Sequence, residues 1–374
     1  MRTLEIFSGA GGLAQGLARA GFEHVSLVEI NKDACHSLRK NFNPEIVYEG
    51  NILDFNLRAL DNIDVIAGGP PCQPFSLGGK HQAQQDIRDM LPHAIECIRE
   101  LRPKAFLFEN VKGLLREAFS DYFDYIILRL THPDCTINRN ETWRGHLQRL
   151  KKLGGSSGIY KVQYKLLNSA DYGVPQKRER VLIVGIRSDL NLQWSFPDPL
   201  YSQDRLSWEK NVTGNYWKKH NLPVHINTSA AKNLERKYGN FPPDKLPLRT
   251  IQDALAGIPD PNSCHTLPDH IYKKGARIYP GHDGSLLDEP AKTIKAGAHG
   301  VPGGENMIRL DNGTVRYMTV HEAKLIQSFS SDYEICGAWG EAMRQIGNAV
   351  PVKLAEIIGN SLFKKMTPVM SQKR

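Results

Sequence analysis

No two of the six cysteines (35, 72, 97, 135, 264 and 336) stand in a CxxC spacing. Scattered thiols of this kind supply neither a disulfide framework nor a paired-cysteine zinc site, so no metal is expected. No apolar run approaches the about 20 residues that span a bilayer. The opening "MRTLEIFSGAGG" passes directly into a strand pattern and a glycine loop, without the profile of a secretory signal. Internal repeats and low-complexity tracts are missing too. These absences lead to the expectation of a cytoplasmic protein that has no dealings with a membrane.

What is present fits a globular chain of one large or two modest domains: 374 residues, 40% hydrophobic and 24% charged. The formal net charge is +8 and the isoelectric point about 9.0. A basic balance favours a polyanionic partner, although a solvated basic surface gives the same figure. Two stretches concentrate the charge. Residues 138–152, "NRNETWRGHLQRLKK", hold five Lys or Arg against one Glu. Residues 201–250 interleave Lys210, Lys218, Lys219, Lys232, Arg236 and Lys237 with Trp208, Tyr216, Trp217 and Tyr238.

Short apolar runs at 3–7, 24–30, 46–50, 63–69 and 105–110 read as strands, and helical patterns occupy 13–20, 32–41 and 91–101. Strands alternating with helices imply an α/β fold with a doubly wound, mostly parallel sheet. Two further strands, "YKVQYKLLNS" and "RVLIVGIR", flank "ADYGVPQKRE". Beyond them helical periodicity fades until about Met318, which predicts a smaller, loop-rich domain over 189–334. A helix at 321–329 and a closing helix from 352 follow. The first domain is therefore expected over 1–188, completed by 335–374. Ligands of such sheets bind outside the C-terminal strand ends, and residues 7–9, Glu29, Asn51, Cys72 and Glu109 all lie at or just past those ends.

"GGPPCQPFS" (68–76) sets Cys72 among three prolines, which fix their own φ and push neighbours toward extended backbone. The thiol is thus aimed, as a nucleophile would be, although buried inert cysteine is the commoner use. "FSGAGG" is a glycine-rich loop but not GxGxxG. Glu29, about twenty positions on, can accept ribose hydroxyls. NAD, S-adenosylmethionine and a tight turn with no ligand all remain open at this point. Glu109 in "ENV" is either an acid–base group or a helix cap. Arg178 and Arg180 alternate in "QKRER", so on a strand they share one face; a solvated charged turn is the alternative.

Taken in order, "FSGAGGL", "PPCQPFS", "FENVKGLL", "QKRER" and "QIGNAVP" resemble the DNA (cytosine-5) methyltransferases of bacterial and phage restriction–modification systems. The likeness covers most of 1–187 and 318–360. It implies a Rossmann-like methyltransferase domain with a target-recognition domain in the middle of the chain. The implied reaction moves a methyl group from S-adenosyl-L-methionine to C5 of a flipped-out cytosine in a specific double-stranded DNA sequence, through a covalent bond from Cys72 to C6. Glu109 would serve N3, Arg180 the cytosine O2, and Arg178 the catalytic carboxylate or a phosphate. Phe7, Gly9, Gly11, Gly12, Glu29, Ile30, Asn51, Pro71, Asn348 and Ala349 would hold the cofactor. Ser76, Gln82 and Arg88 in the loop after Cys72, and Thr293 in the smaller domain, are the DNA-contact candidates. The partners implied are duplex DNA and, acting separately, a cognate restriction endonuclease; the enzyme itself is expected as a monomer.

The chain departs from that pattern in places. Asn51 stands where the family carries Asp, and His321, Leu325 and Ser330 replace Arg, Arg and Pro. The insertion 131–160 has no assigned role. A tRNA substrate is the alternative within the same chemistry, but the Cys-Phe-Thr tripeptide of that branch is absent from the smaller domain. A non-catalytic DNA-binding protein is the alternative outside it.

Overall fold

The computed structural model describes residues 1–71, 90–154, 158–296 and 306–371. The described chain divides into two units, the first formed by Met1–Leu167, Glu179–Pro197 and Ala355–Arg374, the second by Asn168–Arg178 and Asp198–Leu354.

The first unit is built on β1 (Arg2–Ile6), α1 (Gly12–Arg19), β2 (Glu23–Glu29), α2 (Lys32–Asn41), β3 (Val47–Glu49), β4 (Val65–Gly68), α3 (Leu91–Leu101), β5 (Ala105–Val111), α4 (Ser120–Thr131), α5 (Trp143–Leu153), β6 (Tyr160–Asn168) and β7 (Glu179–Arg187). The seven strands form one sheet in the order β3-β2-β1-β4-β5-β7-β6. Strands β1 to β5 are mutually parallel, and β7 joins β5 antiparallel. All of β4 and nearly all of β5 are buried, as strands covered on both faces must be, and they read as unbroken apolar runs for that reason. The main core joins Leu4, Ile66, Ile95, Phe106, Phe108, Ile126 and Ile183.

Local chemistry ends the elements where the sequence placed the signals. Helix α1 closes in a Schellman motif: Gly21, at φ 93°, donates to Ala18 O, and Phe22 donates to Leu17 O. Asn31 caps α2 by accepting the Ala34 amide at 2.8 Å. The closing helix, which becomes α12 (Val352–Ser371), returns to the first unit through Phe363 against Phe22 and Ser361 Oγ against Trp194 Nε1.

The second unit holds β8 (Tyr201–Ser202), α6 (Gln203–Asn211), α7 (Asn215–Lys219), α8 (Thr228–Tyr238), β9 (Leu246–Pro247), α9 (Ile251–Ala254), β10 (Ser285–Leu286), β11 (Met307–Arg309), β12 (Val315–Tyr317), α10 (Val320–Ile326) and α11 (Trp339–Asn348). The sequence predicted few helices between 189 and 318, yet four lie there. Apolar periodicity hid them: only Leu234 of α8, and only Leu206 and Trp208 of α6, are buried. Their caps were the legible signal. Ser202, Asn227 and Thr250 each accept an amide of the following first turn. The unit boundaries also differ from the expected 335–374 return, because α11 clusters with the second unit.

Gly185 of β7 pairs directly with Phe106 of β5, and a Cβ there would lie 2.1 Å from the Phe106 ring. The ring covers the glycine, so the position tolerates no side chain. Gly185→Ala is expected to lower stability by about 1–3 kcal/mol, read as a fall in the urea midpoint without a change of slope; an unchanged midpoint would contradict this packing.

Candidate active site

Strand order reverses between β1 and β4, and at such a switch point the loops leaving the two strands diverge and open a crevice. The loop after β1 is 7–11; the loop after β4 begins at Gly69.

Three residues of the first loop are left-handed: Phe7 at φ 56°, Gly9 at 54° and Gly11 at 81°. Glycine reaches that region without strain, whereas Phe7 is held there against its preference. Glu29, at the end of β2, fastens the loop. Its Oε2 accepts the Gly9 amide at 2.8 Å, and its Oε1 accepts the Ile30 and Asn31 amides at 2.9 and 2.8 Å. Gly12 opens α1, and Gly11 caps it with no side chain to offer. Glu5 compensates from beneath: its carboxylate accepts the Ala14 amide and meets His24 Nε2 at 3.2 Å, and burial pushes its pKa up. A Cβ on Gly9 would meet no atom of the described residues within 4 Å. Ile30 is 66% exposed beside it, an apolar surface that no core explains. Asn51 lies two residues past the end of β3 and spends its Oδ1 on the Leu53 amide at 3.1 Å.

Pro71 is exposed, and its carbonyl accepts the Met90 amide at 3.1 Å. Cys72, Ser76, Gln82 and Arg88 lie outside the described residues. The approach to Cys72 is described, however. Asn110 of β5 donates from Nδ2 to Pro70 O at 3.1 Å and fixes the turn. Glu109, 8% exposed, brings its Oε2 to 3.6 Å from where a Cβ of Gly69 would stand. Arg180 pairs across the ladder with Val111, so it shares a face with Glu109. Its Nε lies 2.8 Å from Glu109 Oε1, at ion-pair distance but off the hydrogen-bond direction. Oε1 thus makes no hydrogen bond among the described residues. A buried carboxylate balanced by one guanidinium, with an oxygen still to satisfy, is equipped to hold a polar ring edge.

The expectation that Arg178 shares this face is corrected. Arg178 precedes β7 and is 1% exposed. Its Nη1 donates to Ile294 O at 3.2 Å and its Nη2 to Gly347 O at 2.7 Å, both in the second unit. Strand alternation fails because the strand begins only at Glu179. Asn348 and Ala349 end α11 and also belong to the second unit; Asn348 is exposed, and Ala349 donates its amide to Gln345 O. Thr293 Oγ1 donates to Lys177 O at 2.7 Å, which leaves the hydroxyl occupied by backbone. Sequence reasoning missed Asn110 and Glu5. The first was visible as an amide beside the carboxylate of "FENV", the second as an acid inside an apolar strand.

Comparisons with known proteins fall in one place. The family model for C-5 cytosine-specific DNA methylase matches residues 1–364. The chain is 32% identical to the Type II methyltransferase M.NgoMIV of Neisseria gonorrhoeae over 97% of both chains. It is 31% identical to M.PspPI of Psychrobacter, over 97% of this chain and 79% of that one. Among solved structures, an Escherichia coli prophage protein described as a DNA modification methyltransferase superposes with a TM-score of 0.61 at 21% identity, covering 98% of this chain and 99% of that one. The Entamoeba histolytica methyltransferase EhMeth gives 0.57 at 17%, covering 98% of each chain. At those identities the structures speak for the fold.

Two predictions follow from this geometry. Burial, reinforced by nearby carboxylates, pushes the Cys35 and Cys97 thiols up to about 12. A raised thiol pKa means a neutral thiol at pH 8, with roughly one part in ten thousand as reactive thiolate. Both should therefore escape iodoacetamide in the folded protein at pH 8 and react once it is denatured, as read by peptide mass spectrometry. Arg178→Met strands two buried carbonyls and should cost about 2 kcal/mol or more of stability, read as a fall in melting temperature; a melting temperature unchanged from wild type would contradict the burial of this guanidinium on Ile294 O and Gly347 O.

Proposed function

This chain belongs to the C-5 cytosine-specific DNA methylases, and we propose that it uses S-adenosyl-L-methionine, with Cys72 as nucleophile and Glu109 and Arg180 as the groups that hold the cytosine. The observation that carries this reading is Glu109: a buried carboxylate against the turn that leads into Cys72, with no hydrogen bond to Oε1 among the described residues and Arg180 beside it.

The loop at 7–11 suits the donor. Left-handed Gly9 and Gly11 expose backbone without side chains, no atom of the described residues stands within 4 Å of where a Cβ of Gly9 would lie, and Ile30 offers an exposed apolar surface of a kind that packs on a purine. Phe7, Gly12 and Pro71 line the same crevice mouth in this reading, and the lone pairs that Glu29 retains can take the ribose hydroxyls. Asn51 presents an amide where the family has a carboxylate. With Oδ1 committed to Leu53, Nδ2 is left as a donor, which favours a ring nitrogen of adenine over its exocyclic amine. Asn348 and Ala349 remain cofactor candidates by resemblance alone. The donor, when bound, supplies a methyl group on a sulfonium centre.

The remaining chemistry is that of the protein side chains. C5 of cytosine is a poor nucleophile until C6 is saturated. The Cys72 thiolate adds to C6, and the negative charge that this pushes toward N3 and O2 is met at the ring edge. Glu109 shares a proton with N3, and the Arg180 guanidinium donates to O2 and offsets the carboxylate. C5 then takes the methyl group. Loss of the C5 proton to a water-borne base and departure of the sulfur from C6 restore the ring. The base lies inside a duplex, so it must be swung out first, at a cost of a few kcal/mol. In this reading the loop after Cys72, with Ser76, Gln82 and Arg88, closes over the vacated stack, and the second unit, Thr293 included, reads the flanking pairs. A monomer that works in the cytoplasm beside a separate cognate endonuclease completes it.

The test is methyl incorporation into duplex DNA, with 5-fluorocytosine duplexes as a trap. Wild type is expected to accumulate a covalent complex only when the donor is present, and Cys72→Ser to form none. Glu109→Gln should slow methylation by about 10²–10⁴ while still binding duplex. Methylation by Cys72→Ser at the wild-type rate would refute the mechanism.

A further inference from the structure

The segment 131–160, which has no role in the reading above, contains α5 and carries two acids and five Lys or Arg. Both acids are consumed inside the fold. Asp134 pairs with Arg102. Glu141 receives Arg149 in a fork, Nε to Oε1 at 3.1 Å and Nη2 to Oε2 at 2.7 Å, and also accepts the Asn138 amide. Arg139, Arg144, Lys151 and Lys152 remain, all exposed and with no ion pair among the described residues. The exposed acids of the neighbouring helix, Asp121 and Asp124, pair with none of the four.

These cations are not equivalent. Lys151 and Lys152 occupy the last turn of α5, where a positive charge complements the helix dipole and needs no partner. Arg139 and Arg144 stand at the other end. The first turn of α5 contains no acid, Arg144 is its second residue, and Arg139 precedes the Thr142 cap. Positive charge there opposes the dipole, so an anion bound beside it is favoured. Arg144 is also held in place: its guanidinium lies 4.9 Å from the Trp143 ring centroid, and Trp143 is wedged against Tyr122 and Tyr125 at 5.8 and 5.7 Å.

The direction of α5 fixes where this end points. Trp143 meets the start of α4, and Gly154, just past the end of α5, accepts His132 Nε2 just past the end of α4. The two helices run side by side in the same sense. Helix α4 departs, through two short turns, from the end of β5 that carries Glu109. The Arg139–Arg144 end of α5 thus lies toward that rim of the sheet, and Lys151 and Lys152 toward the opposite one.

We propose that Arg139 and Arg144, at the uncompensated N-terminal end of the insertion helix, grip backbone phosphates of the duplex DNA substrate, giving this enzyme a phosphate clamp on its first unit. The proposal rests on the DNA-methylase reading for its ligand. Phosphate contacts carry no sequence information, so the clamp adds affinity without altering the site that is methylated. Each phosphate neutralised contributes about 0.9 to the slope of log affinity against log salt.

The experiment compares wild type, R139Q/R144Q and K151Q/K152Q on a duplex several helical turns long, by fluorescence anisotropy over a salt series. R139Q/R144Q should lower the slope by about 2 and weaken specific and non-specific duplexes alike, with an unchanged melting temperature and an unchanged methylated sequence. K151Q/K152Q should leave the slope at its wild-type value. Parallel salt lines for wild type and R139Q/R144Q would overturn the clamp while leaving the DNA reading intact. An equal slope loss in both variants would overturn it too, by reducing the effect to general charge. Wild type with no salt-dependent duplex binding would remove the DNA reading and the clamp together.

Discussion

The approach of β1 to β4 at their last residues is the one on which the site depends. Ile6 and Gly68 are paired at the ends of β1 and β4, and a Cβ on Gly68 would fall 2.2 Å from the Ile6 carbonyl oxygen. That oxygen belongs to the backbone and cannot retreat. Only glycine lets the two strands remain in register to their last residue. The consequence is positional: the glycine loop and the Gly-Pro-Pro turn leave from adjacent points, one toward α1 and the other toward Cys72. A methyl donor and a nucleophile have to meet one pyrimidine ring within a few ångströms, so two loops springing from neighbouring strand ends are a geometric requirement of the chemistry.

Around that pair the first strand is served by two carboxylates of opposite character. Glu29 lies at a strand end, takes three amides and pins the loop from outside. Glu5 is wholly buried, with its pKa raised, and takes the Ala14 amide that a glycine cap cannot satisfy. The loop gives up side-chain capping so that backbone can approach a ligand, and the cap is supplied from the strand below. Asn110 repeats the arrangement on the other loop by holding Pro70 from within β5. In each case a side chain in a regular element disciplines an irregular turn, which is how a site on loops acquires the precision of the sheet.

Much of this was legible in the sequence because its physics is local. Alternation of apolar runs gave the parallel sheet, and Gly21 marked the end of α1. "FSGAGG", "PPCQPFS" and "FENV" each sit within a few residues of the strand end that positions them. What escaped reading is what depends on distant partners. Helices α6 and α8 bury too few residues to show a periodicity, and only their caps betray them. Arg178 and Arg180 look equivalent as neighbours in "QKRER", yet one is buried on carbonyls of residues 116 and 169 positions away and the other meets Glu109. The strand boundary that separates them falls at a charged residue, where composition says nothing.

The antiparallel strand β7 explains why a group from so late in the chain joins the site. In a purely parallel sheet every strand delivers its C-terminal end to the ligand rim, and each delivers it from a loop that follows the strand. Strand β7 runs the other way, so it delivers its beginning: Arg180, its second residue, pairs across from Val111 at the close of β5. A side chain within a ladder has its direction set by hydrogen bonds on both sides, whereas one on a following loop does not. Glu109 is likewise inside its strand. The two charged groups that would face the cytosine are therefore ladder residues on one face of one strand pair. A carboxylate that must share a proton, and a guanidinium that must not drift away from it, are the groups for which fixed geometry counts most, since either charge left alone in a buried site would be costly.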